Sequence, residues 1–572
     1  MKDNTIVLFF NCQIYTMDQK LSEAEAMAIF NDEIIAIGKE TRVREEINLI
    51  KSIKNAKLIE KNVGGACIVP GFIDAHMHPA FYIYSKTQCN LSKVRGYVEL
   101  KNILEKEDKI RPPGDWLVGL DLMEDVFINP EERKFPDRNF LDIFHRPILI
   151  FRHDGHICAV NSKALEIIGI NSSNAKEKTP EFGEIRLDKD GNPTGILTED
   201  AIGFASAAIQ VPDLESFKKA TIEFHSELAS FGITTIGGVI QIGEFGPAGK
   251  IGEMEIELMR VLLNQGIIEQ DIVFYFITDK PHKLERLKRT YIKSKELKEK
   301  YVIGGVKIYG DGSFGAKTAC MFEPFSDSPE HKGFMVNKKE KLHEMVKNSI
   351  ELGFHVAIHA IGDKANRIIV DVYKDVIMEL LMNKEKKFSE LTKNEKNHLF
   401  KEIKLKLPRL RIEHASILTS DVLDDASELG IIMVCQPAFL NSEQTWLERR
   451  VGPERIKHTY AFRSIIDSGI ILAGASDAPV ESASVMEAIQ ACVMRNGIIP
   501  EEKISVIEAL KMFTWNAAHA LGQNLKKGSL EKEKLADFVI LEKDIKEVQI
   551  DELKRLKILE TYHRGKLIYR MN

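Results

Sequence analysis

The segment Asp74-Ala75-His76-Met77-His78-Pro79 closes a short apolar run. On a strand, residues i and i+2 point the same way, about 7 Å apart. His76 and His78 can therefore turn two imidazoles toward one metal ion. Alone, such a pair is more often a chance pair on a surface strand. Four further ionisable residues stand in similar places: Lys307 in GGVKIYGDG, His359 in AIHAIGD, His414 in RIEHAS and Asp477 in AGASDAP. Each lies inside or closes a β-branched apolar run. Such side chains are rarely fully buried without a partner or a metal. Histidine and carboxylate donors without thiolate suit Zn²⁺, Mn²⁺, Fe²⁺ or Ni²⁺ at a partly open site. Lys307 is the odd member. Desolvation and nearby positive charge would lower its pKa. The neutral amine could then take up CO₂ as a carbamate, an anionic oxygen ligand.

These residues need elements that bring them to one place. Eight candidate strands cover 71–78, 232–240, 271–278, 304–312, 354–362, 410–416, 431–437 and 470–478. Amphipathic helical patterns separate most of them, such as KLHEMVKNSIELG (341–353) and TSDVLDDASELG (419–430). This alternation is the pattern of a (β/α)₈ TIM barrel, although an open doubly wound sheet shares it. In a barrel the six candidate ligands gather at the C-terminal face, where active sites form. The long gap between His78 and Gly232 exceeds any crossover and implies an insertion subdomain, 85–230, after barrel strand 1. Residues 1–70 and 526–572 are strand-rich and are expected to build one small β-sandwich domain, with the barrel spanning 71–525. A Lys/Glu-rich stretch, 383–408, reads as a solvated helical excursion without chemistry.

Composition narrows the classes. The chain has 572 residues, 44% of them hydrophobic and 29% charged, enough for a large folded core. A net charge of -6 argues against a general nucleic-acid binder. Seven cysteines without a C-x-x-C make a disulfide framework or a Cys-type zinc ribbon a poor reading. No apolar run approaches the ~20 residues of a membrane span. A cytoplasmic protein with a small-molecule substrate is expected, with no nucleic acid or membrane partner; a homodimer is left open.

Taken together, FIDAHMHP, VKIYGDG, AIHAIGD, RIEHAS and GASDAP resemble the amidohydrolase superfamily of metal-dependent hydrolases. GGVKIYGDGSFGAKTA (304–319), FRHDGHICAVNSKAL (151–165) and GILTEDA (195–201) are similar to its amidohydrolase 3 branch, which contains N-substituted formamide deformylase. FTWNAAHALGQ (513–523) and HRGKLIYR (563–570) resemble the closing segments of that family. The resemblance implies two divalent ions, zinc being the first expectation. His76, His78 and Asp477 would hold one, His359 and His414 the other, and carboxylated Lys307 would bridge both. It implies hydrolysis of a C–N bond of an amide or formamide. Metal-bound water, its pKa lowered from ~15.7 toward ~7, would attack the carbonyl, with Asp477 as proton shuttle. A mononuclear deaminase of a heterocycle and a non-catalytic scaffold are alternatives on the same fold.

Other residues carry competing readings. His153, Asp154 and His156, in RHDGH, fall where the resemblance places substrate contacts; a polar turn would look alike. Asp311 could touch substrate or shape a Gly turn. Glu199 is an alternative anionic metal ligand. His355 and Cys435 read as core residues, and Asp363 as a helix cap. The Gly-rich stretches lack dinucleotide spacing.

Overall fold

The computed structural model describes residues 4–210, 212–242, 251–291, 294–385 and 391–571. Its central sheet has eight strands, each hydrogen-bonded in parallel to the next in chain order. They are β1 (Phe72–Met77), β2 (Ile233–Gln241), β3 (Asp271–Ile277), β4 (Tyr301–Tyr309), β5 (His355–Ala360), β6 (Leu410–His414), β7 (Ile432–Cys435) and β8 (Leu472–Gly474). All eight overlap the runs read from the sequence. The last strand meets the first beyond their C-terminal ends. Asp477 N–H donates to the His76 carbonyl at 2.9 Å and His78 N–H to the Ala478 carbonyl at 2.8 Å. The protein is thus a TIM barrel, the parallel geometry expected when helical crossovers cover both flanks.

The strands are nearly continuous apolar runs because the outer face meets helices and the inner face meets other strands. Ala75, Val239, Tyr275, Ile277, Ala357, Val434 and Ala473 help fill the interior. At the N-terminal end the barrel is plugged by the segment around the helix Ala517–Ala520. Ala520 accepts the Tyr275 hydroxyl at 3.2 Å. A Cβ on Gly522 would lie 2.7 Å from the His355 ring, so only glycine fits there. The close approach, together with a φ of +68°, explains that residue.

Two further sheets flank the barrel. Both chain ends meet in one eight-stranded sheet, where Cys67–Pro70 joins Phe538–Leu541 from the C-terminal part to Thr5–Tyr15. Between β1 and β2 lies a six-stranded sheet ordered Gly183–Leu187, Pro193–Glu199, Ile157–Val160, Ile148–Arg152, Leu117–Leu122 and Cys89–Asn90. The Lys/Glu-rich stretch forms the helix Lys393–Lys406, opened by a Thr392–Glu395 capping box; residues 386–390 lie outside the described residues. Among the described residues no helix is long and apolar enough to cross a membrane.

Candidate active site

At the C-terminal ends of the strands, ligating atoms of His76, His414 and Asp477 all lie within 4.8 Å of one another, and all three residues are buried. His76 and His78 come from the end of β1. His414 closes β6 with φ +70°, and Asp477 follows β8 with φ +63°. Left-handed backbone at two non-glycine residues is costly and clusters at functional sites. Asp477 Oδ1 lies 3.3 Å from His76 Nε2 and 3.1 Å from His78 Nε2. The His359 ring stands 4.3 Å from that of His414. Lys307, 1% exposed, lines the same cavity, its ammonium 5.2 Å from the Tyr309 ring centroid.

The partners of His76 test whether a cation fits. His76 Nδ1 donates to Glu413 Oε2 at 2.5 Å. Glu413 is itself gripped by Arg411, Nε at 2.7 Å and Nη2 at 2.8 Å. Burial alone would raise the Glu413 carboxyl, but Arg411 and then His76 hold it well below the usual carboxylate range. Glu413 is therefore an acceptor, and Nδ1 carries the proton. With the proton on Nδ1, a ligating ring has its lone pair on Nε2, a buried atom with no hydrogen-bond partner, facing the Asp477 carboxylate. A lone pair and a carboxylate at that range repel unless a positive charge lies between them. The donor set fits a divalent ion, and a ligating histidine oriented by a carboxylate is a recurrent arrangement at such sites.

The electrostatics favour neutral imidazoles. Burial, with Asp477 pulling the other way and Lys307 adding to it, leaves His414 lowered to about 3. Burial, then His414 and Lys307, push His359 well below its ordinary value. For Asp477, burial opposes ionisation, but the imidazoles beside it, with His78 Nε2 hydrogen-bonded to Oδ1 at 3.1 Å, keep it ionised far below the usual range. Burial lowers Lys307 to about 8 against the pull of Glu413 and Asp477, within reach of the neutral amine.

These groups open into a cavity of about 1200 Å³. His78, Lys307, His359, His414 and Asp477 form one end of it. Strands of the insertion supply Phe151 and Glu199, and the turn between two of them supplies Asp154 and His156. Much of the remaining wall is apolar, including Phe81, Phe182, Phe204, Phe217 and Leu258. Few polar groups converging inside an apolar cavity is the usual form of a small-molecule site.

A profile of the amidohydrolase family matches residues 62–569. The chain belongs to the amidohydrolase family. Among curated relatives of this amidohydrolase, Protein LONG AFTER FAR-RED 3 of Arabidopsis thaliana is 29% identical over 98% of this chain and 91% of its own length. N-substituted formamide deformylase of Arthrobacter pascens is 26% identical over 98% of each chain. Among solved structures, an uncharacterized metal-dependent hydrolase from Pyrococcus horikoshii OT3 matches with a TM-score of 0.71 at 23% identity. That match covers 96% of this chain and 99% of the other, and it speaks to the fold.

In this amidohydrolase the other residues singled out from the sequence divide into two sets. His156 stands on the cavity wall, its ring 5.5 Å from His359. Its Nδ1 pairs with Glu199 at 2.8 Å. Burial opposes its charge, but Glu199 raises it to about 9, so it faces the cavity as an imidazolium. The second Glu199 oxygen accepts Thr318 Oγ1 at 2.5 Å, so both carboxylate oxygens are engaged away from the histidine cluster. Asp154 lines the wall while accepting Arg152 Nη1 at 2.9 Å and Ser313 Oγ at 2.7 Å. His153 and Asp311 stand off the main cavity. His153 is clamped between Glu481 at 3.0 Å and Asp121 at 3.6 Å, joining the insertion to the loop after β8. Asp311 accepts the backbone N–H groups of Cys320, Ile361 and Gly362 at 2.8–3.0 Å, a turn-shaping role. His355 bonds the Tyr275 hydroxyl at 3.1 Å, and Asp363 accepts the N–H of Phe322 and Lys364. Glu413 and Arg411 were not singled out from the sequence. Their only signal was the alternation of charged residues, R-x-E, in a strand that otherwise reads as buried.

Proposed function

We propose that the protein is a metal-dependent hydrolase cleaving a C–N bond of an amide or formamide. The observation that carries this is the His76 Nε2 lone pair, fixed by Glu413 and aimed, with His414 and Asp477, at a shared point. His76, His78 and Asp477 would hold one divalent ion, and His359 and His414 a second. Lys307 would bridge them after its neutral amine adds to CO₂, forming an N–C bond and releasing one proton. A divalent ion held there supplies an acidified water and polarises a carbonyl.

The chain's own groups do the rest. Asp477, ionised and buried, accepts the proton of the attacking water and returns it to the departing nitrogen; this avoids expelling an amide anion. Its carboxylate is hydrogen-bonded to His78 Nε2 and its backbone N–H to the His76 carbonyl, so its position is set before substrate arrives. His156, charged through Glu199, presents an N–H to the cavity that stabilises negative charge growing on the carbonyl oxygen. The apolar wall excludes bulk water and takes the substrate's hydrocarbon part. The relative named for N-substituted formamides supports this bond type.

The test is a hydrolysis screen of N-formyl and N-acyl amines with the metal-loaded protein, alongside amino-heterocycles. Release of amine and acid from the amides, lost in Asp477→Asn, is the expected result. Ammonia released from heterocycles alone would replace this reading with deamination. Inertness of metal-loaded protein across both sets would favour a scaffold.

A further inference from the structure

The floor of the barrel, opposite the cavity, gathers positive groups. His355 opens β5, and Arg409 precedes β6, its carbonyl accepting Val356 N–H at 2.9 Å. His519 projects from the plugging helix and is stacked on Trp515, centroids 5.2 Å apart and planes 18° apart. Lys288 lies 5.8 Å from the ring of Phe354, the residue before β5. One layer deeper, the Arg411 guanidinium covers the Tyr275 ring at 4.4 Å.

Elsewhere on this floor a cation is fully matched. Lys527 is bonded to Asp271 and Thr235, with Asp537 at 3.2 Å. The side around Arg409 is not matched. Among the described residues, no carboxylate stands within ion-pair distance of Arg409, His519, His355 or Lys288, and the Arg409 guanidinium has no hydrogen-bond acceptor. Two buried nitrogens, His519 Nδ1 and Arg411 Nη1, also lack a partner. Burial and the surrounding cations, first Arg411 and Arg409, drive His355 down to about 3, and burial with Arg409 takes His519 to about 4. Arg409, His355 and His519 are half-buried, so the group is open to solvent on one side.

A half-buried guanidinium with unused donors, flanked by imidazoles and an ammonium, is complementary to an oxyanion. Two permanent cations, Arg409 and Lys288, favour a dianion. We propose that this floor is a binding site for a phosphate group, free or carried by a small phosphate monoester, held chiefly by Arg409 and His519. It lies on the opposite face from the metal-type cluster and does not depend on the reaction assigned to that cluster.

The experiment titrates metal-loaded full-length protein with inorganic phosphate and, separately, glycerol phosphate. Chloride at matched ionic strength is the reference, and the thermal midpoint is read. A saturable rise with at least one phosphate is expected, with Arg409→Gln and His519→Gln each weakening the apparent Kd tenfold or more. His76→Ala, which disables the other site, should keep it. A stronger response to glycerol phosphate would identify the monoester as the natural form; equal responses would identify the free ion. No saturable rise would overturn the proposal. So would phosphate binding that survives in both floor variants and vanishes in His76→Ala.

Discussion

The chemistry rests on a few side chains whose partners fix their state. Asp477 is buried and hydrogen-bonded to His78 Nε2, so Asp477→Asn keeps the shape and removes the base. We expect an unchanged circular dichroism spectrum and kcat lower by about 10²–10⁴-fold; wild-type turnover would exclude the shuttle. Glu413 acts through His76. Glu413→Gln would loosen the ring and its tautomer, and metal affinity measured by competition with a chelator should fall about 10–100-fold. Lys307→Ala should lose metal, with partial recovery on adding a short carboxylate; an unchanged metal content would rule out the bridge. The ligand candidates were legible because each breaks an apolar run at a strand end. Glu413 was not, since a charged residue beside His414 reads as the strand's other face. Only closure of the barrel places it against His76, from a strand that is not its hydrogen-bonded neighbour. Asp311 follows a strand, as a site residue would; its carboxylate accepts three backbone amides, and one oxygen lies 3.6 Å from His359 Nε2.

At the scale of elements, the eight barrel strands were readable because burial on both faces leaves continuous β-branched runs. The inserted sheet was less so: its strands are short, interrupted by small helices, and their pairing order does not follow the chain. The helix Glu40–Lys54 was hidden between strand-like segments. Long-range ties hold these elements together. Asp271, at the start of β3, is buried with Lys527, His563 and Arg564 from the C-terminal segment. Burial opposes its charge, but Lys527 and then His563 lower its pKa far below the ordinary value. A depressed carboxyl contributes stability above its unfolded pKa of ~3.9, and loses it as pH falls toward the folded value. Asp271→Asn should therefore cost about 3–5 kcal/mol in denaturant unfolding at pH 7. The variant should also lose less stability than wild type between pH 5 and pH 3. An equal acid dependence in the two proteins would remove Asp271 from that role.

For the whole molecule, one end of the barrel concentrates donors around a cavity and the other is closed by the C-terminal plug. The cavity draws wall residues from the barrel and from the insertion, and its 1200 Å³ exceeds what a small polar amide would fill. Net charge and composition set the class of the molecule but could not reveal this cavity, which depends on how the insertion seats over the strands. The central claim is that donors from β1, β4, β5, β6 and the loop after β8 converge on divalent ions. Elemental analysis of the purified protein after dialysis against metal-free buffer tests it most directly. About two divalent ions per chain, falling in both His76→Ala and Lys307→Ala, is the expected result. A chain that retains no ion, takes none up on addition, and still hydrolyses its amide substrate would contradict it.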